Sequence, residues 1–153
     1  IARAVWLSPL TPCLAAASVN SSRPDGLGPV SGYSHTVAAS GRLVAVSGQL
    51  PVDAEGNVVD PSDPLVQARQ VFANLGRALA AAGAKPKDVL KLTFYLTDIG
   101  DLHAVRAARD EFIGDGPKPA SSLVQVSSLV LPETRIEIDA LAVTAPRRRK
   151  RST

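Results

Sequence analysis

The chain nearly lacks the residues that staple small proteins or hold metals. Cysteine occurs once, as Cys13, which excludes a disulfide framework and a cysteine-based zinc site within one chain. Histidine occurs only as His35 and His103, without the spacing of metal ligands. No apolar run approaches the length that a membrane helix requires, so no membrane contact is expected. Excess charge is confined to one segment. The net charge is +3, but Arg147, Arg148, Arg149, Lys150 and Arg151 supply +5 and leave −2 on the remainder. A mildly acidic body does not suit a nucleic-acid-binding fold. RNA is therefore expected only through the Arg147–Arg151 tail, by counterion release.

What is present suits one globular domain. A chain of 153 residues, 45% hydrophobic and 20% charged, is long enough to bury its own core. Residues 1–29 are rich in Ala, Ser and Pro without a helical or strand period, and are expected to form a flexible extension. Arg3-Ala-Val-Trp-Leu and Leu14-Ala-Ala-Ala-Ser faintly resemble a signal peptide, but Pro9, Thr11 and Pro12 interrupt the apolar part. With the signal reading set aside, a cytoplasmic location is expected. Residues 30–145 form the domain. From the like-charged block after Pro146, residues 146–153 are expected to form a disordered basic tail.

Periodicity orders the domain as β-β-α-β-α-β-β. Tyr33–Ala39 and Arg42–Gln49 are strand-like runs parted by Ser40-Gly41, which predicts a tight hairpin. The second run is apolar on both faces at Leu43-Val44-Ala45-Val46, so a central, doubly covered strand is expected. Ser62-Asp63-Pro64 starts a helix whose stripe is Leu65, Ala68, Phe72, Leu75, Leu79 and Ala82, ended by Gly83. Val89–Leu96 is a strand. A second helix begins at Asp98 or Asp101, carries Leu102, Val105, Ala108 and Phe112 as its stripe, and closes at Gly114 and Gly116.

The last strands run from Pro119 to Val143. In the second of them Ile136, Ile138, Ala140 and Ala142 alternate with Arg135, Glu137, Asp139 and Leu141. Glu137 and Asp139 thus share one face, about 7 Å apart along the strand. Carboxylates on a sheet face are commonly solvated or salt-bridged, and a strand tyrosine such as Tyr33 is commonly half-buried. Two strand-helix-strand crossovers of the same hand put both helices on one face of a mixed sheet, giving an α+β fold. The other face keeps Val44 or Val46, Tyr95, Leu141 and Val143. It is expected to be buried against other subunits, with active sites where subunits meet.

Five segments together carry a family resemblance. They are Gly32-Tyr33-Ser34, Val46-Ser47-Gly48-Gln49-Leu50-Pro51, the helix from Gln67-Ala68-Arg69-Gln70 to Asn74-Leu75, Lys91-Leu92-Thr93-Phe94-Tyr95-Leu96-Thr97-Asp98, and Arg135-Ile136-Glu137-Ile138-Asp139-Ala140. Over residues 30–143 the chain resembles the Rid/YjgF family of reactive-intermediate deaminases. The resemblance implies a chorismate-mutase-like fold and a homotrimer with three clefts between subunits. It implies hydrolysis of enamines and imines, such as 2-aminoacrylate, with no metal or cofactor. It assigns Glu137 to the glutamate that positions or activates water, a role that suits a carboxylate in a dry cleft. Tyr33, Ser47, Gly48, Gln49, Phe94, Ser121, Ser122 and Leu123 fall at cleft positions. Members that deaminate grip the substrate carboxylate with the arginine of a Pro-Ala-Arg-Ser-Cys segment. Here the segment is Pro119-Ala120-Ser121-Ser122-Leu123; a hydroxyl replaces a planar fork of donors, so an altered substrate range is expected. Arg135 is an alternative cation. A non-catalytic trimer that binds a small metabolite or a partner is the other class of function, and a ribonuclease a more distant one.

Overall fold

The structure is a computed structural model that describes residues 19–146. The expectations for residues 1–18 and for the Arg147–Arg151 tail lie outside the described residues.

Two helices form where caps and apolar stripes coincide. The first, α1 (Pro64–Ala81), is capped by the Asp63 carboxylate, which accepts the N–H groups of Leu65 at 2.8 Å and Val66 at 3.1 Å. These bonds satisfy two of the donors that the first turn leaves free. Its end is set by Gly83, whose φ of +76° places it in the left-handed region that favours glycine. Ala68, Phe72, Leu75 and Leu79 of the expected stripe are buried. The second helix, α2 (Leu102–Ile113), follows one 3-10 turn at Ile99–Asp101 and buries Val105 and Ala108.

Four strands make the main sheet: β3 (Arg42–Gln49), β4 (Val89–Leu96), β5 (Ala120–Gln125) and β6 (Ile136–Thr144). Their order is β3-β6-β4-β5, with β4 and β5 parallel and the other pairs antiparallel. The parallel pair is joined through α2, as a crossover requires. Val44, Val46, Leu92, Phe94, Leu96, Ile136, Ile138 and Ala140 pack with the helices' stripes into one core. The expected α+β fold is therefore present, with a mixed sheet and two helices on one face.

Three expectations about the N-terminal half are corrected. Val19–Ser22, inside the stretch expected to be a flexible extension, is a strand (β1) paired antiparallel with β2 (Thr36–Ala39). The tight hairpin across Ser40-Gly41 does not form; β2 pairs with β1, and β3 stands at an edge of the main sheet. Two-residue hairpin loops need either positive φ at both central residues or glycine first. Here serine comes first, no non-glycine residue among those described has positive φ, and only Gly41 does, at +151°. Consequently β3 is not the doubly covered central strand its composition suggested. Its Leu43 is 62% exposed, while β6 occupies the centre.

One buried polar side chain fixes the entry to β6. Gln67 of α1 donates its amide to the carbonyls of Val59 at 3.1 Å and Glu133 at 3.0 Å. Its carbonyl oxygen accepts the Arg135 N–H at 2.8 Å. Three partners make a fully buried amide tolerable. They also set the register of β6 two residues before Glu137.

Candidate functional site

The expected site residues fall into two groups on different faces of the sheet. The first group surrounds Glu137 on the helix-free face. Register pairs Glu137 with Tyr95 and Asp139 with Thr93, while the flanking Ile136 and Ile138 point into the core. Between Val46 and Gln49 the pairing of β3 with β6 shifts by one residue. This bulge places Gly48 beneath Glu137, and a β-carbon at Gly48 would lie 1.8 Å from Glu137 Oε1. The carboxylate occupies the space that a glycine leaves. Glu137 forms no hydrogen bond or ion pair with the described residues. Beside it Ser47 is exposed; Gln49, paired with the core-facing Ile138, lies instead by Asn74 and Arg77 of α1, and its amide donates to the Ser47 carbonyl at 3.0 Å.

Asp139, by contrast, is engaged. It accepts the Tyr95 hydroxyl at 3.1 Å. That hydrogen bond, then the Asp139 charge, then desolvation and the charge of Glu137, hold the Tyr95 phenol above its usual pKa.

The second group lines a cavity of about 180 Å³ on the helix-covered side. Tyr33, Phe94, Ser121 and Leu123 meet there, together with Leu102 and Val105 of α2. Tyr33 reaches it because its neighbour Ser34 is clamped to the start of β5. Ser34 donates its N–H to the Pro119 carbonyl at 3.0 Å and its hydroxyl to the Lys118 carbonyl at 2.6 Å. Tyr33 also meets the His35 ring edge-on, with centroids 5.6 Å apart. Ser121 and Leu123 face the cavity by strand alternation. For the same reason Ser122 is turned to the opposite, exposed side, across from Thr93. Of the residues assigned to the cleft, Tyr33, Phe94, Ser121 and Leu123 are brought together. Within one chain Ser122, Ser47, Gly48, Gln49 and Glu137 are not part of that cavity.

The candidate cation Arg135 is already spent. Its Nε and Nη2 reach Asp101 Oδ2 at 2.7 Å and Oδ1 at 2.9 Å, and Asp98 lies 3.7 Å away. The Asp101 hydrogen bonds raise its pKa further. This fork-to-carboxylate pair closes the turn between β4 and α2, and Arg135 is not among the residues that line the cavity.

Sequence reasoning missed two other arginines. Arg106 and Arg109, one turn apart on α2, both line the cavity. Charged helix residues ordinarily read as a solvated face, yet Arg109 is only 7% exposed. The available signal was spacing, since residues 102, 105, 106, 109 and 112 follow the three-and-four interval of one helix face. Among the described residues no cluster of three His, Cys, Asp or Glu could hold a metal ion, and no helix is long and apolar enough to cross a membrane.

A mixed sheet with two helices on one face defines a class of small α+β folds. The family described as Endoribonuclease L-PSP matches residues 23–144. The chain belongs to this family, the YjgF/Rid family. Among its relatives is Protein DfrA of Myxococcus xanthus, 36% identical over 122 residues that span 79% of this chain and 89% of that one. The 2-iminobutanoate/2-iminopropanoate deaminase of Escherichia coli K12 is 36% identical over 105 residues, 67% of this chain and 80% of that one. Among solved structures, the Rid-family protein YyfB of Yersinia pestis superposes with a TM-score of 0.76 at 36% identity, covering 82% of this chain and 98% of that one.

Proposed function

We propose that the protein is a homotrimeric hydrolase of reactive enamine or imine metabolites, with a substrate range altered by Ser121. The carrying observation is Glu137, a half-buried carboxylate set over Gly48 and bonded to no described residue. An unspent carboxylate in a partly desolvated position suits general acid–base work. It would take a proton from water as the water oxygen bonds to the imine carbon and the C=N electron pair moves to nitrogen. The protonated carboxyl would then return that proton to nitrogen, and a second transfer through the same carboxylate, from the carbinolamine hydroxyl to its nitrogen, would break the C–N bond and release ammonia and a carbonyl compound. The relative that bears the name 2-iminobutanoate/2-iminopropanoate deaminase supports this reaction class.

The two-group geometry supports an assembly. Glu137 and the Tyr33–Ser121 cavity lie on different faces of one sheet, so a complete site needs a second copy to bring them together. The helix-free face also exposes Leu43 at 62%, Val124 at 46% and Leu141 at 39%, apolar surface that a second copy would cover.

The test is turnover of imines generated in solution, with carbonyl product followed against time. Glu137→Gln should lower kcat by about 10²–10⁴-fold, as loss of a positioned acid–base group does, without changing mass in solution. Unchanged turnover in that variant would refute the reading. The neutral Ser121 favours a second reading, a non-catalytic trimer that binds a small metabolite. Wild-type protein that binds such a ligand but turns over no imine would establish it.

A further inference from the structure

We propose that this cavity binds a carboxylate from the helix side, through Arg106 and Arg109 of α2, in place of a cation on β5. The inference rests on the cavity being the ligand pocket of the reading above, and names the two residues of this chain that would orient its substrate there.

The two guanidinium groups differ in their freedom. Arg109 is buried, and its Nε and Nη2 donate to Asp110 Oδ1 at 3.0 and 2.9 Å. Nη1 donates to no described residue. Its place is fixed by Gly32, where a β-carbon would lie 2.1 Å from Arg109 Nη2. That packing holds the guanidinium beside Tyr33, on a rigid helix rather than a loop. Arg106 is exposed and makes no hydrogen bond or ion pair with the described residues.

Charge bookkeeping favours an anion. No carboxylate lines the cavity. The only acid bonded to either arginine is Asp110, half-exposed and shared with Lys118 Nζ at 3.7 Å. Two guanidinium charges therefore meet one partly screened carboxylate, and a positive excess faces the cavity. The wall opposite is Phe94 and Leu123, with Leu102 and Val105 alongside. Apolar walls exclude water and strengthen a charge-assisted hydrogen bond. They also suit an alkyl tail better than a hydrated phosphate. Tyr33 and Ser121 add hydroxyls for a polar group next to the carboxylate.

The test uses the full-length protein and 2-oxobutanoate as a stable probe, with 2-oxobutanamide as its neutral counterpart, in calorimetric or NMR titrations. Wild type should bind the acid more tightly than the amide. Arg106→Gln should weaken the acid by roughly tenfold, the scale of a lost bond to a charged group, and leave the amide nearly unchanged. Arg109→Lys keeps the charge but loses the fork, and should weaken the acid less; if it does not fold, Arg106→Gln still decides. Glu137→Gln should still bind the acid more tightly than the amide, even where it hydrolyses nothing. Retained acid binding with no imine turnover would refute hydrolysis and spare the subsite. Imine turnover with equal affinity for acid and amide would refute the subsite and spare hydrolysis. Absence of acid binding, or binding indifferent to Arg106→Gln, would overturn the proposal.

Discussion

Gly48→Ala is the most economical perturbation of the site, because it adds one methyl group and removes nothing. Gly48 does not have the positive φ that would strain an alanine, so its backbone accepts the change, and in an ordinary conformation the swap stabilises by about 0.4–1 kcal/mol through the unfolded chain. The obstacle is Glu137. The added carbon would lie 1.8 Å from Oε1, 2.7 Å from Cδ and 3.0 Å from Cγ. Ordinary contact begins at 3.4 Å, so the carboxylate must retreat by about 1.6 Å. Glu137 can rotate away, because no described residue holds it, and the cost to folding is small. The cost to chemistry is not, since a 1 Å misplacement can lower rate about 10²-fold, near 2.7 kcal/mol of barrier at 1.36 kcal/mol per tenfold. The prediction is a variant with a melting temperature within a few degrees of wild type, on the scale of 1 kcal/mol in a domain this size. Its kcat on an accepted imine should fall about 10²-fold. The pair of measurements is needed, because a fall in both would report misfolding. Wild-type kcat in a well-folded Gly48→Ala protein would refute the claim that Glu137 acts from its position over the bulge.

Two further outcomes follow from the helix-free face. The Tyr95 phenol should ionise above the ordinary value of 10.0, chiefly because Asp139 accepts its proton in a hydrogen bond. Ultraviolet titration should show this transition vanish in Tyr95→Phe and move down in Asp139→Asn. Since the folded value is the raised one, the contribution to stability is present below the unfolded tyrosine pKa and lost as pH climbs through the folded one. Light scattering should give a trimer at micromolar concentration, and Leu43→Glu, which puts a charge on a 62% exposed leucine of that face, should shift it towards monomer. A wild-type monomer would refute the assembly.

Much of this protein was legible as pattern. The stripe from Leu65 to Ala82, the cap at Asp63 and the stop at Gly83 specify α1 because their physics is local. The strand β4 falls at Val89–Leu96 as its apolar alternation requires. Alternation also separated Glu137 and Asp139 from the core-facing Ile136 and Ile138. Pairing was beyond the reach of local pattern. The choice of β1 as partner for β2, and the edge position of β3, depend on loop conformation at Ser40-Gly41 and on which strands compete for an edge. The same limit applied to charge. Arg135 and Arg109 look alike in sequence, as basic residues near an apolar run. Both pair with a carboxylate, Arg135 with Asp101 and Arg109 with Asp110, but tertiary packing lays only Arg109 beneath Gly32 at the wall of a cavity. A charged side chain takes its role from the groups that desolvate and pair it, and those come from segments distant in the chain.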